Sequence, residues 1–361
     1  MSEKIKAAVL GGTGMVGQRF ISLLENHPWF EVSAIAASPR SAGKTYEEAL
    51  SGRWKLEVPM PESVKNLEVM DVSQVEKVAE RADICFSAVD MKKEEIRDIE
   101  ERYAKTETPV ISNNSAHRWT PDVPMIIPEV NPEHADIIPS QRKRLGTKRG
   151  FIAVKPNCSI QSYTPALQAW RAFEPSEVIA STYQAISGAG KTFKDWPEME
   201  GNVIPYIGGE EEKSEQEPLK VLGSIEGDRI VNYEGLKISA QCIRIPVLYG
   251  HTASVFINFR KNTSKDALIA ALREYKGEPE RLNLPSAPRP FITYFEEDNR
   301  PQVTLDVNNE RGFGITMGRL REDSIFQWKF VGLSHNTIRG AAGGGVLCAE
   351  LLKARGYIEK K

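Results

Sequence analysis

The stretch that most restricts what this chain can become lies near its start, where Ala7-Ala8-Val9-Leu10 runs straight into Gly11-Gly12-Thr13-Gly14-Met15-Val16-Gly17. A short, wholly apolar run suits a strand buried on both faces of a parallel sheet. Beyond the glycines, Val16, Phe20, Leu23 and Leu24 fall at i, i+4, i+7 and i+8, one face of a helix that can pack on that sheet. Glycines at positions 11, 14 and 17 give a tight turn, close approach of backbone to pyrophosphate and close helix-to-strand contact, the G-x-x-G-x-x-G form of the dinucleotide fingerprint. A glycine trio alone carries little. Set between a strand and an amphipathic helix, it assigns Gly11, Thr13, Gly14, Met15 and Val16 to a phosphate-binding turn.

The alternation that follows sets the fold class. The strand Val32 to Ala37 ends not on the carboxylate that pairs with a ribose 2′-hydroxyl but on Ser38-Pro39-Arg40-Ser41-Ala42-Gly43-Lys44. Two cations and two hydroxyls suit a 2′-phosphate, so NADP is favoured over NAD, the other reading being a solvated loop with chance charges. A strand near 67–70, a helix around 75–80, a strand over 83–88, a charged helix over about 92–105 and a strand at Val110-Ile111 continue a doubly wound α/β pattern. The turn from Ser112 to Arg118 follows the carboxyl end of a strand, where such sheets place ligands, and Arg118 reads either as an anion ligand or as a surface arginine. The basic run from Arg142 to Arg149 reads as a solvated connection.

With 361 residues the chain can hold two domains, and a formal net charge of -2 with acids and bases interspersed leaves no bulk electrostatic footprint for nucleic acid or an anionic membrane. No apolar run approaches the ~18 residues of a membrane span, and a strand pattern starts almost at the first residue, so neither a span nor a secretory leader is expected and the cytoplasm is the expected compartment. Four cysteines, Cys85, Cys158, Cys242 and Cys348, lack any Cys-x-x-Cys spacing and read as reduced thiols, with no structural metal expected.

In the second half the alternation weakens. Val154-Lys155-Pro156-Asn157-Cys158-Ser159 is an apolar run that breaks at a proline and sets Cys158 before an expected helix, whose N-terminal dipole favours a thiolate; an ordinary buried cysteine is the plainer reading. Glu177 to Ile186 reads as a strand ending in Ser187-Gly188-Ala189-Gly190-Lys191, small enough for backbone to approach a cofactor. Glu210-Glu211-Glu212-Lys213 starts a helix through Leu222, where Glu210 is placed equally well by the helix dipole. Ser239 to Leu248 and Thr252 to Phe259 read as strands joined around Gly250-His251, so Arg244 and His251 can face one cleft, although His251 also suits a structural turn. A helix from Thr263-Ser264 and strands near 303–307, 313–319 and 326–332 complete a mixed, mostly antiparallel sheet with a face free for a second subunit. His335 to Gly345 opens a long helix running to about Leu352.

Taken together, the glycine turn, the Pro156-Asn157-Cys158-Ser159 turn, Gln184, Arg244 with His251, and Asn336-Thr337-Ile338-Arg339-Gly340-Ala341-Ala342-Gly343 closely resemble aspartate-β-semialdehyde dehydrogenase, in the longer branch known from archaea and fungi. The resemblance spans nearly the whole chain. It implies an NADP-binding Rossmann-like domain over 1–157, completed by the C-terminal helix at about 336–361, and a catalytic and dimerisation domain over 158–335. It implies reversible, phosphorylating oxidation of L-aspartate 4-semialdehyde to L-aspartyl 4-phosphate with NADP, towards lysine, threonine and methionine, in a homodimer or homotetramer. Residue by residue, it makes Cys158 the thioacyl nucleophile, His251 the general acid/base and Gln184 an orienting group. Arg244 matches the substrate-carboxylate ligand and Glu210 the amino-group ligand. Arg118 and Lys213 match phosphate ligands with Asn114 nearby, and Ser187, Gly188 and Asn336 match cofactor contacts. Lys155 and Cys348 depart from the family's pattern, where a smaller or neutral residue and an asparagine are expected. The rival readings are malonyl-CoA reductase on the same scaffold and, from a different class, a non-catalytic NADP-binding paralogue. N-acetyl-glutamyl-phosphate reductase is disfavoured by Asn157 where a glycine is expected.

Overall fold

The computed structural model describes residues 3–361, arranged around two six-stranded sheets and a two-stranded ribbon. The first sheet comprises β1 (Ile5–Leu10), β2 (Phe30–Ala37), β3 (Val69–Asp71), β4 (Ile84–Ser87), β5 (Val110–Ser112) and β6 (Ile152–Val154), all parallel in the order β3-β2-β1-β4-β5-β6. The order reverses between β1 and β4, and such a reversal opens a crevice at the carboxyl ends of the strands. Gly11 turns into that crevice with φ +79°, and a Cβ there would strike the Ala88 carbonyl oxygen at 2.3 Å, so both dihedral and space demand glycine. The helix Met15–Leu24 that follows buries Met15, Phe20, Ile21 and Leu24. Val16 and Leu23, placed by sequence on the same apolar face, are only half-buried.

The C-terminal helix Gly343–Ala354 belongs to this domain's core, packing Val346, Leu347, Leu351 and Leu352 with Phe20, Phe86 and Ile111. It does not start at residue 335 as the sequence suggests. Residues Ile338–Ala342 form a wider π turn broken at Ala341 (φ -142°, ψ -110°), and regular helix begins only at Gly343. Gly340 holds the segment weakly to helix, and Arg339 pulls it out of line by donating to both oxygens of the Glu129 carboxylate, at 2.7 and 2.5 Å.

The second sheet takes β7 (Pro175–Gln184), passes over the separate ribbon β8 (Ser224–Glu226) and β9 (Arg229–Val231), and adds β10 (Lys237–Arg244), β11 (His251–Phe259), β12 (Ile292–Phe295), β13 (Ile315–Glu322) and β14 (Trp328–Ser334). Its order is β10-β7-β11-β14-β13-β12, parallel at the β10/β7 and β13/β12 pairs and antiparallel between them. One face is closed by Trp170, fully buried and edge-on to Phe259 and Phe330 at 5.8 and 5.1 Å. The other face is open: Ile179 is 41% exposed, and Thr252, Ser254 and Phe256 on β11 are half-buried.

The strand expected near 303–307 is instead the short helix Val303–Asp306. The Asp306 carboxylate accepts the Gln302 N–H at 2.6 Å and pairs with Arg300, a local closure that an extended segment cannot make. Its place at the sheet edge is taken by β12. The basic run forms part of the helix Ile138–Leu145 rather than a free connection, with Arg144 bridging Asp122 and Glu101. No helix among the described residues is long and apolar enough to cross a membrane.

Candidate active site

Strand register assembles the site. Arg244 at the end of β10 pairs with Gln184 at the end of β7, Gln184 pairs with His251 at the start of β11, and His251 pairs with Ser334 at the end of β14. Residues directly opposite in a ladder share a face, so Arg244, Gln184 and His251 form one row along the sheet's end. All three are buried. Gly188 closes on them: a Cβ there would lie 2.9 Å from Arg244 Nη1 and 3.2 Å from His251 Nε2.

Cys158, carried on the turn that leaves β6, meets this row, with its Sγ 3.3 Å from His251 Nε2. On the far side of the ring the Ala185 N–H donates to Nδ1 at 3.1 Å, so in the neutral imidazole Nε2 carries the proton and points at the sulfur. Burial, reinforced by the Arg244 guanidinium, draws the His251 pKa down to about 3, so the ring is neutral at pH 7. The low-pKa thiol expected at a helix end is not what forms. Cys158 precedes only a four-residue 3₁₀ turn, Ser159–Ser162, and burial, with the Glu210 carboxylate, pushes its pKa up to about 11 against the opposing pull of Lys155, Arg118 and Arg244. Gly340 presses on Cys158 from behind, where a Cβ would stand 2.7 Å from that of the cysteine.

The anion-binding candidates divide. Arg118 is buried and borders the Cys158 pocket, but it is already engaged: Nη1 donates to Glu217 at 2.8 Å, Nε to the Lys155 carbonyl at 3.1 Å and Nη2 to the Asn113 carbonyl at 3.3 Å. Glu217 also accepts the Asn157 N–H at 2.5 Å, so one fully buried carboxylate holds both the arginine and the turn before Cys158. Sequence reasoning missed it, although it sits seven residues after Glu210 on the helix Glu210–Val221, and that spacing repeats a helix face. Glu210 borders the pocket, its Oε1 taking the Asn157 side-chain amide at 3.0 Å and Lys213 Nζ at 2.8 Å while its Oε2 is buried without a partner. Burial raises its pKa, but Lys213 and Asn157 outweigh that and hold it below the usual carboxylate value. Lys213 is thus an ion-pair partner of Glu210 and does not border the pocket. Asn114 turns away, donating to Ser87 Oγ at 3.2 Å and to the buried Glu100 at 3.0 Å; its neighbour Asn113 borders the pocket, with a buried Oδ1 that has no donor.

A cleft of about 940 Å³ runs from Thr13, Gly14, Met15 and Val16 to Gly188, Gly190 and Asp195. A lobe of about 380 Å³ extends from Gly11 and Gly14 to Ser38, Arg40 and Arg53. The Cys158 pocket, about 140 Å³, shares Val16 and Gly188 with the large cleft. A dinucleotide can therefore run from Arg40 past the glycine turn to the sulfur. Ser38 and Arg40 lie in the lobe, whereas Ser41 and Lys44 do not border it; the Lys44 carbonyl instead accepts the Val69 N–H at 2.8 Å. Ser187 and Asn336 are brought together at 2.8 Å and border the Cys158 pocket rather than the large cleft. Gln18, which the sequence did not single out, is fully buried and braces the glycine turn, donating to the Thr13 and Arg53 carbonyls at 3.0 Å each. Cys348 is fully buried in the core and borders none of these spaces.

The same architecture recurs in known proteins. A family model described as semialdehyde dehydrogenase, NAD binding domain, matches residues 6–138, and one described as semialdehyde dehydrogenase, dimerisation domain, matches residues 164–339. The aspartate-semialdehyde dehydrogenase of Methanothermobacter thermautotrophicus is 44% identical over 96% of this chain and 99% of its own, and that of Aspergillus fumigatus is 42% identical over 98% and 99%. The crystal structure of aspartate semialdehyde dehydrogenase with NADP from Candida albicans superposes with a TM-score of 0.88 at 38% identity, covering 99% of this chain and 100% of that one. By sequence over nearly its full length and by fold, the chain belongs to the aspartate-semialdehyde dehydrogenase family.

Proposed function

We propose that the chain interconverts L-aspartyl 4-phosphate and L-aspartate 4-semialdehyde with NADP through a thioester on Cys158, in the biosynthesis of lysine, threonine and methionine. The observation that carries this reading is the meeting of a dinucleotide-sized cleft with Cys158, His251 and Arg244 in one small pocket. The residues fit NADP: the glycine turn lies at the switch point, β2 ends without a carboxylate, and Arg40 stands in the lobe beyond it. When bound, NADP supplies the hydride acceptor or donor.

The chain's own residues account for the remainder. Cys158 loses its proton to solvent and adds to the aldehyde carbon as the thiolate, and His251 Nε2–H hydrogen-bonds to the resulting oxyanion, whose electron pair reforms the carbonyl as the hydride leaves. Phosphate then displaces the thioester, with the Arg118 guanidinium supplying positive charge at the pocket wall. Arg244 grips the α-carboxylate, which a planar guanidinium can hold with two bonds, and the free Oε2 of Glu210 accepts from the substrate's ammonium. The open face of the second sheet, within the region matched by the dimerisation model, is the surface through which two copies pair. The two sheets divide the work at about residue 157, the first half with the C-terminal helix holding cofactor and the second holding substrate.

The test is the initial rate of NADP reduction by L-aspartate 4-semialdehyde with and without phosphate, beside malonyl-CoA with NADPH. Phosphate-dependent turnover of the semialdehyde is expected. Activity with malonyl-CoA alone reassigns the acid-recognising residues, and silence on both favours the non-catalytic reading. Cys158→Ala is expected to abolish turnover while leaving NADP binding intact.

A further inference from the structure

One face of the helix Glu210–Val221 is polar and yet buried: Glu210, Ser214 and Glu217 follow one another at i, i+4 and i+7, and all three close on the turn that carries Cys158. Glu217 takes the Asn157 backbone N–H at 2.5 Å, Glu210 takes the Asn157 side-chain amide at 3.0 Å, and Ser214 Oγ lies 2.9 Å from Ser159 Oγ. The Tyr163 hydroxyl fixes the helix at this level by donating to the Ser214 carbonyl at 2.6 Å. Ser159 and Ser214 are completely buried and border neither the Cys158 pocket nor the cofactor cleft. Two facing hydroxyls can be exchanged for apolar groups at little cost in packing, so their contribution lies in the direction of the hydrogen bonds they make.

Those bonds run one way. The Ser159 N–H, which can only donate, lies 2.8 Å from Asn157 Oδ1, and this identifies that atom as the oxygen of the amide. An amide oxygen only accepts, so the Ser159 hydroxyl, also at 2.8 Å, points its proton at it. Towards Ser214 the Ser159 oxygen is then the acceptor and the Ser214 hydroxyl the donor. The Cys242 thiol, 3.5 Å beyond, donates in turn to Ser214. With its oxygen held by two donors, the amide turns its nitrogen to Glu210, whose Oε1 accepts it together with Lys213 Nζ. Of the two oxygens of Glu210, which borders the pocket, only Oε2 is left without a donor.

We propose that Ser159 and Ser214 are positioning residues of the amino-group site: the chain Cys242, Ser214, Ser159, Asn157 fixes the amide that occupies Glu210 Oε1, and so reserves Oε2 for the substrate's ammonium. This rests on the reading of Glu210 as the ammonium ligand and adds what selects its free oxygen.

The test compares kcat/KM for L-aspartate 4-semialdehyde with that for 4-oxobutanoate, the same aldehyde acid without the amino group, in the full-length enzyme with NADP and phosphate. The wild type is expected to prefer the amino substrate. Ser159→Ala is expected to lower that preference by ~5–10-fold and Ser214→Ala by ~3-fold, through KM for the semialdehyde, while kcat/KM for 4-oxobutanoate stays within ~2-fold of wild type. An equal loss on both substrates overturns the proposal, because it marks a general disturbance of the Cys158 turn, and so does an unchanged preference. If Ser159→Ala does not fold, Ser214→Ala decides alone. Glu210→Gln separates the relay from the reading beneath it. A preference lost in Glu210→Gln but kept in both serine variants overturns the relay alone, whereas a preference intact in Glu210→Gln removes the amino-group reading and the relay with it.

Discussion

At the residue scale the side chains that meet in the pocket were legible by type and order, because the proposed chemistry, with a nucleophile, a proton-transfer group and an acid-binding arginine, leaves few substitutes for each. Cys158, His251, Arg244, Gln184 and Glu210 converge on one pocket. Supporting residues were far less legible. Asn113 and Asn114 are chemically identical neighbours, and only the strand end decides which faces the pocket, so the sequence had no means of preferring Asn113. Glu217 was hidden among the other acids of its helix, and its complete burial, which no spacing in the sequence marks, is what sets it apart. Glu217→Gln removes the negative charge that holds Arg118 and the Asn157 N–H, and is expected to lower kcat/KM by ~10-fold or more, checked by steady-state kinetics with phosphate varied. Gly188→Ala pushes a methyl into Arg244 and His251. It is expected to reduce kcat/KM with little change in melting temperature, measured side by side.

At the element scale, the parallel domain could be read because continuous apolar strands and amphipathic helices leave few alternatives. The second domain could not be read as fully. The segment over 303–307 has the β-branched composition of a strand, yet Asp306 closes it on Gln302 as a helical turn, a competition between local side-chain bonding and pairing that composition does not decide. The irregular turn before the last helix was likewise invisible, since it is imposed from outside by Glu129, more than two hundred positions away in the chain. That ion pair, 1% exposed at both partners, keeps Gly340 against Cys158. Arg339→Met strands the Glu129 carboxylate in the core and is expected to cost about 3–5 kcal/mol in urea unfolding, with activity lost even where the variant remains folded.

For the whole molecule, the architecture of two sheets was readable, while their joint construction of one pocket depended on register that no single segment reveals. All five histidines are buried. Burial lowers His134 from the ordinary 6.5 to about 4, and His251 and His335 to about 3. The unfolded chain binds these protons near pH 6.5 and the native state refuses them until lower, so their stabilisation is complete above about 6.5 and is lost as pH falls towards 3. Urea midpoints are expected to fall steadily between pH 7 and 4; a flat profile over that range contradicts the buried neutral histidines. The row Arg244, Gln184, His251 has one last consequence. Adjacent strands stand about 4.8 Å apart, so the backbones of Arg244 and His251 are held about two strand spacings from each other while their side chains lean towards one point at Gly188. The pitch of the sheet is then a ruler for carbon chains. Nothing in a hydrogen-bonded ladder can stretch to admit one more methylene, and a five-carbon homologue of the semialdehyde is expected to react with kcat/KM lower by ~10–200-fold.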